Sequence, residues 1–339
     1  MANLITVVGT GYVGLTTGAC LAHLGHEVRC VDIDADKVAR LDKGEIPIFE
    51  AGLEELVREG LEAERLSFTT DTVRAVKGAD FVFLCVPTPQ GGDGAADLSF
   101  VRAAAVTIGP HLAPGAIVVN KSTVPVGSAQ VVAEVIGRGD VSVVSNPEFL
   151  REGTAVSDFL KPDRVVVGCD DQAAAVRLAE AYEDLGAPVL VTDAASAEMI
   201  KYASNAFLAT KVSYVNAIAA LCEAVGADVA DVTLGMGYDK RIGSQFLRPG
   251  PGWGGSCFPK DSQALVKIAD DNDVAFPLLE SAIATNDAQF DRMVAKIAGH
   301  LGGDRRAAQV PHRCQRAALH RAPRPDDRHP LAQRLTLGQ

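Results

Sequence analysis

Apolar positions along this chain come in two patterns, and the change between them falls near residue 193. Before it, mostly apolar stretches of about five residues recur at 4–8, 27–31, 81–86, 116–120, 141–144, 164–168 and 188–192. Between them lie segments of helical periodicity at 12–24, 98–111 and 128–136, and an alanine-rich one after 168. Strands that are apolar through their whole length and alternate with helices predict a parallel sheet covered on both faces. After residue 193 the strands stop. Residues 194–225 contain neither Pro nor Gly and place Met199, Ile200, Ala203, Phe207, Leu208, Val212, Val215 and Ile218 at helical spacing. That predicts one helix about 45 Å long, suited to a spine between domains or to a dimer contact. Further helices are expected at 261–272 and 277–299.

The fold expected is therefore α/β: a doubly wound parallel sheet followed by a helical central domain with one long helix. The domain boundaries expected are 1–192, 193–300 and a tail at 301–339. The tail differs in kind from the rest. From Gly302 onward there are eight arginines, no lysine, three aspartates, three histidines and four prolines, with no apolar period. Such a segment is expected to be disordered.

Composition narrows the function. At 47% hydrophobic and 22% charged residues, the chain is globular in character. No basic leader precedes an apolar stretch, and no uninterrupted apolar run reaches the roughly 18 residues of a membrane span. Seven cysteines, odd in number and never CxxC, argue against a disulfide framework and against a zinc or other metal site. A soluble cytoplasmic protein is expected. The net charge of −11 gives no reason to expect nucleic acid or membrane as a partner. Before Gly302, 24 basic and 40 acidic side chains leave a net charge of −16. An anionic substrate would need local basic residues against that field.

The first motif is Gly9-Thr-Gly11-Tyr12-Val13-Gly14, a GxGxxG that follows an expected strand and opens an expected helix. Its glycines permit a tight turn and close approach of backbone to a pyrophosphate, at a helix N-terminus. Asp32 ends the next strand, where its carboxylate suits a ribose diol and repels a 2′-phosphate, favouring NAD over NADP. This is the Rossmann-type arrangement. Lys37 either runs along the adenosine ribose or is a surface lysine.

The second is "PGWGGSCFPKD", residues 251–261. Glycines on one side of Cys257 leave its thiol uncrowded, and Lys260 and Asp261 follow at once. Nearby positive charge and free amides would favour the thiolate, which could capture a carbonyl carbon beside a nicotinamide. The other reading is a packed loop cysteine. Three further stretches favour the reactive one. "KSTVPVGS" puts Ser122 and Thr123 at a strand end, "SNPEFLREG" does the same with Glu148 and Glu152, and Lys201 and Asn205 share a face of the long helix.

Together "GTGYVGL", "STVPVGS", "NPEFLREG", "KYASNAFLATKVSYVN" and "GWGGSCFPKD" resemble the UDP-glucose/GDP-mannose dehydrogenase family, from about Leu4 to about Gly299. The resemblance implies four-electron oxidation of a sugar C6 alcohol, UDP-glucose to UDP-glucuronate, using two NAD. It implies that Cys257 carries a thiohemiacetal and then a thioester, and that Lys201 and Asn205 stabilise the C6 oxygen. Asp261 with Thr123 and a water would move the alcohol proton, and Glu148 would assist thioester hydrolysis. Gly9, Gly11, Tyr12, Val13, Gly14, Asp32, Lys37, Thr88, Thr123 and Glu152 would contact NAD. Phe149, Leu150, Arg151, Glu152, Lys201, Asn205, Phe246, Arg248 and Gly254 would line the sugar-nucleotide site. Arg241 matches a position that reaches a partner subunit's substrate, implying a homodimer, or else it serves solubility alone.

The ending departs from the family, whose members continue into another α/β domain over the uridine diphosphate. The arginine- and proline-rich tail resembles an altered reading frame, so a chain lacking that domain is expected. Three alternatives stay open: an impaired chain that binds NAD and dimerises, a dehydrogenase for GDP-mannose or UDP-N-acetylmannosamine, and a two-electron hydroxyacid dehydrogenase. The last would not need Cys257.

Overall fold

The computed structural model describes residues 2–92 and 94–300; the basic tail at 301–339 lies outside the described residues. Eight strands form one sheet: β1 (Leu4–Val8), β2 (Glu27–Val31), β3 (Leu66–Thr69), β4 (Phe81–Leu84), β5 (Ile117–Asn120), β6 (Ser142–Ser145), β7 (Val165–Gly168) and β8 (Val189–Thr192). Their order is β3-β2-β1-β4-β5-β6-β7-β8. In the central strands β1, β4 and β5 successive side chains point to opposite faces, and both faces are buried. Ile5, Val7, Phe81, Phe83, Ile117 and Val119 enter one core cluster; Val8, Val82, Leu84 and Val118 enter the other. The unbroken apolar strands follow from this, because neither face meets water.

The neighbours pair in parallel with one exception. β6 and β7 are antiparallel and share a single bridged pair, Ser145 with Gly168. The ladder cannot continue through Pro147, which has no N–H. Asn146 takes over with its side chain, its Nδ2 donating to the Val166 carbonyl at 2.7 Å.

The sequence pattern missed β3 and the helices Ala35–Leu41, Leu53–Glu62, Thr72–Val76, Ala155–Leu160 and Val229–Gly237. Most are short, and β3 is only LSFT with one polar residue in every two, too little for a periodicity to show. The helix expected at 98–111 ends earlier, at Ile108, because Pro110 tightens the continuation into a 3-10 turn.

The chain turns out from β1 on one side to β2 and β3, and on the other to β4 and β5. The loop after β1 therefore opens at the reversal of strand order, where the carboxyl ends of the strands leave a crevice. The described residues fall into two compact units: Met1–Ala209 with Gly254–Leu279, and Thr210–Trp253 with the segment from Glu280 onward. The 32-residue helix Ala194–Val225 begins in the first unit and continues into the second. By length and composition this helix could cross a membrane. Its Glu198, Lys201 and Asn205 are instead buried and hydrogen-bonded within the first unit.

In the second unit Trp253 is pinned on both sides. Its backbone N–H donates to Asn286 Oδ1 at 2.7 Å, its indole N–H donates to Ser213 Oγ at 2.8 Å, and Asn286 Nδ2 donates back to its carbonyl. Gly250 is held likewise by Asn216 and Gln289.

Candidate active site

The glycine turn needs its glycines. Gly9 lies at φ +97°, and a Cβ there would stand 2.5 Å from the carbonyl oxygen of Cys85, the residue after neighbouring β4. At Gly14 a Cβ would stand 1.9 Å from the Gly9 carbonyl oxygen. The helix Tyr12–His23 starts from Gly11 with no side-chain cap, so its first N–H groups are open to an anion. Val13 packs against the core beneath.

Asp32 follows β2 directly and is held by four groups. Its carboxylate accepts from Thr10 N at 3.0 Å, Thr10 Oγ1 at 2.5 Å, Asp34 N at 3.1 Å and Lys37 Nζ at 2.8 Å. Burial pushes its pKa up, but the bonds from Lys37, Thr10 and Asp34 outweigh that and hold it at about 2. Lys37 is thus the ion-pair partner of Asp32. The turn and the fixed carboxylate fit a dinucleotide: backbone amides for the pyrophosphate, acceptor oxygens for a ribose diol. Replacing Asp32 with alanine is expected to narrow the preference for NAD over NADP by removing the charge that repels a 2′-phosphate. Equal affinities of the unmodified protein for the two would contradict this.

Tyr12 reaches away from the turn. Its hydroxyl donates to Glu50 Oε2 at 2.8 Å and lies 2.8 Å from the Arg151 carbonyl. Glu50, buried, also accepts from Gly153 N and Ala155 N, tying the glycine helix to the 151–155 segment. Thr88 and Thr123 come together, the Thr88 hydroxyl donating to the Thr123 carbonyl at 2.8 Å. Ser122 spends its hydroxyl on the Leu84 and Val86 carbonyls and so serves the strand end.

The helix expected at 261 begins earlier, at Phe258, since Pro259 fits its first turn. Cys257 therefore sits at its N-cap. The thiol is half-buried, and burial pushes its pKa up. The Ser256 hydroxyl, 3.6 Å away, and Lys201 work against that rise, while Glu148 and Asp261 add to it. Desolvation thus opposes the nearby lysine at this thiol.

Two buried polar pairs stand in the same unit as Cys257. Lys201 Nζ donates to Glu148 Oε1 at 2.7 Å, and Leu150 N donates to Glu148 Oε2 at 2.7 Å. Asn205 Nδ2 donates to Asp261 Oδ2 at 2.6 Å, and Lys260 Nζ to Asp261 Oδ1 at 2.7 Å. Asp261 is wholly buried. Ser256 Oγ donates to Glu152 Oε1 at 2.7 Å, joining the cysteine loop to the 148–152 loop. The Phe149 ring carries the Arg164 guanidinium 3.5 Å from its centroid and the Lys201 ammonium at 5.5 Å. Of the other two residues expected beside Phe149, Leu150 packs against the core with its side chain, and Arg151 is paired with Asp158.

Arg241, Phe246 and Arg248 belong to the second unit, whereas Gly254 begins the returning segment of the first. Arg241 is exposed and paired with Asp239 at 2.6 Å. Phe246 holds φ +61°, which is uncommon for an aromatic residue and fixes the direction of this loop.

Comparison with known proteins bears on this site. Residues 3–186 match the NAD-binding domain of the UDP-glucose/GDP-mannose dehydrogenase family, and residues 195–288 match that family's central domain. The chain belongs to this family. As a UDP-glucose/GDP-mannose dehydrogenase it is an NAD-dependent enzyme of sugar-nucleotide oxidation. It is 50% identical over 316 residues to a UDP-glucose 6-dehydrogenase of Rhizobium meliloti, a match that takes in 90% of this chain and 72% of the relative. A UDP-glucose dehydrogenase from Pyrobaculum islandicum is 39% identical with a TM-score of 0.85, covering 89% of this chain and 72% of that one. A GDP-mannose dehydrogenase from Pseudomonas aeruginosa is 36% identical with a TM-score of 0.67, covering 88% and 71%.

Sequence reasoning passed over Glu50, Ser256 and Glu198. Glu198 lies three residues before Lys201 on the same helix face and accepts from Gly127 N at 2.7 Å, Ala129 N at 3.0 Å and Ser145 Oγ at 2.8 Å. It ties the Thr123 loop and β6 to the helix that carries Lys201. Its one sequence signal is an acidic residue on the apolar side of that helix. Burial raises its pKa against those three bonds.

Proposed function

We propose that this dehydrogenase converts UDP-glucose to UDP-glucuronate in two successive oxidations, holding the sugar covalently on Cys257 between them. The observation that supports this most is the gathering of Cys257, the Lys201–Glu148 pair and the Asn205–Asp261 pair in one compact unit. UDP-glucose rather than another sugar nucleotide is favoured by the relative at 50% identity, against 36% for the GDP-mannose enzyme.

Bound NAD supplies a hydride acceptor in each of the two oxidations. Asp261, with Thr123, takes the C6 hydroxyl proton as that carbon becomes an aldehyde. Lys201 and Asn205 face the oxygen on which negative charge collects. The Cys257 thiol adds to the aldehyde carbon, with its proton going to the hemiacetal oxygen or its neighbours. The thiohemiacetal then loses its carbinol hydrogen as hydride and its hydroxyl proton, leaving a thioester. Glu148 draws a proton from water as that water attacks the thioester carbon, and Cys257 leaves as thiol. In sum, RCH2OH, two NAD+ and water give RCOO−, two NADH and three protons. Counting NADH released per UDP-glucose consumed tests the reading: two are expected, and one would leave only an aldehyde-forming enzyme.

The long helix supports a dimer. Phe207, Tyr214 and Leu221, spaced by seven residues, are 65%, 53% and 57% exposed. Exposed large side chains recurring at that spacing on one helix are of the kind a second helix covers. The unmodified protein is expected to sediment as a dimer and Tyr214→Glu at half that mass. A monomeric parent protein would refute the assignment.

A further inference from the structure

Beside Lys201 lies a small recess lined by Asn120, Thr123, Ser145, Pro147, Glu198 and Lys201, among others, with room for about one water molecule. Asn120 closes β5, and its side chain is 2% exposed. Both its amide oxygen and its amide nitrogen lack a hydrogen-bond partner among the described residues. Folded proteins rarely leave both ends of a buried amide unsatisfied, and where a polar recess adjoins one, water completes it. The other polar groups of the wall are largely spent: Ser145 on Glu198, and Glu198 on Gly127 and Ala129. The Lys201 ammonium is not. Among the described residues its one hydrogen-bond partner is Glu148, and an ammonium has three donors. The walls also select the occupant. A cation would meet Lys201 and an anion would meet Glu198, whereas a neutral molecule that both donates and accepts suits each side.

We propose that this recess binds one water molecule, which Asn120 anchors and which accepts a hydrogen bond from Lys201, making Asn120 a positioning residue for that ammonium. The effect is geometric. With one N–H on Glu148 and a second on the water, the third is aimed, rather than free to rotate among acceptors. The inference rests on the role proposed above for Lys201 wherever it concerns turnover; the water site itself does not depend on that role.

Two experiments test it. A crystal structure of the unmodified protein at high resolution is expected to show a water within hydrogen-bond distance of both the Asn120 amide and Lys201 Nζ. No water there overturns the proposal, whatever reaction the enzyme runs. Asn120→Leu keeps the size of the side chain, removes the anchor and puts apolar atoms in the recess. It is expected to lower kcat about tenfold or more. The KM for UDP-glucose and the affinity for NAD should stay within about twofold, since neither ligand is assigned to Asn120. Parent-like kcat overturns the positioning role. A joint loss of kcat, NAD affinity and melting temperature also overturns it, because that is the pattern of a merely structural residue. Asn120→Ser keeps a neutral donor and acceptor for the water and is expected to retain more of kcat than the leucine variant, so the proposal stays testable if the leucine variant does not fold.

Discussion

Serine at position 257 is expected to abolish carboxylate formation while leaving NAD affinity intact. A serine hydroxyl is a far weaker nucleophile than sulfur near neutral pH, and its ester would hydrolyse more slowly than a thioester. Loss of a covalent nucleophile commonly removes about 10^3-fold or more of kcat. The loss should be selective. Cys257 begins a helix in a segment that returns to the first unit after Trp253, whereas the dinucleotide features cluster at the ends of β1 and β2. Titration with NAD, followed by fluorescence or calorimetry, should therefore give a parent-like Kd for Cys257→Ser. Uronic acid formation at the parent rate would end the covalent mechanism.

A methyl group at Gly14 is expected to do the opposite, removing cofactor binding and destabilising the fold together. The Cβ would stand 1.9 Å from the Gly9 carbonyl oxygen and 3.0 Å from Cys85 Cβ, so backbone has to move. Gly9 cannot yield easily, because its N–H is bonded to the Val31 carbonyl at 2.8 Å and β4 lies behind it. Overpacking costs about 1–3 kcal/mol, equivalent to roughly 2–12 °C in Tm for a domain of this size. The displaced turn would also lose the amide geometry on which a pyrophosphate depends. A Gly14→Ala variant with parent-like Tm and NAD affinity would show that the turn is softer than its contacts indicate. By contrast, a Cβ at Gly11 meets nothing within 4 Å, so Gly11→Ala should fold normally. That pair of glycines separates a packing requirement from one imposed by the ligand.

Much of the site was legible in the chain because its chemistry is local. Gly9, Gly11, Gly14 and Asp32 stand at a fixed spacing on consecutive elements, and the distance between two adjacent parallel strands does the rest. Lys201 and Asn205 are four apart on one helix, so they share a face whatever that helix packs against. Other groups could not be read this way. Glu50 meets Tyr12, Gly153 and Ala155 across gaps of 38, 103 and 105 residues. Glu198 meets Gly127 and Ala129 across 71 and 69. Nothing in a local window distinguishes such carboxylates from solvated ones.

By its own periodicity the sequence determined the parallel sheet and the long helix, and by its motifs the glycine turn and a candidate nucleophile. These depend on interactions within a few residues and on burial of whole apolar strands. Three things were decided only by the tertiary structure. One is the setting of Cys257: its neighbours in sequence favour a thiolate, but burial in the fold pushes its pKa up. A second is the partner of each charge, since Lys37, Lys201, Arg151 and Arg241 are exposed cations on paper and ion-paired in the fold. The third is the course of the long helix, which runs through both compact units with no Gly or Pro to mark a division. Desolvation, pairing and compactness are sums over atoms distant in sequence, and the chain fixes them only once it has closed on itself.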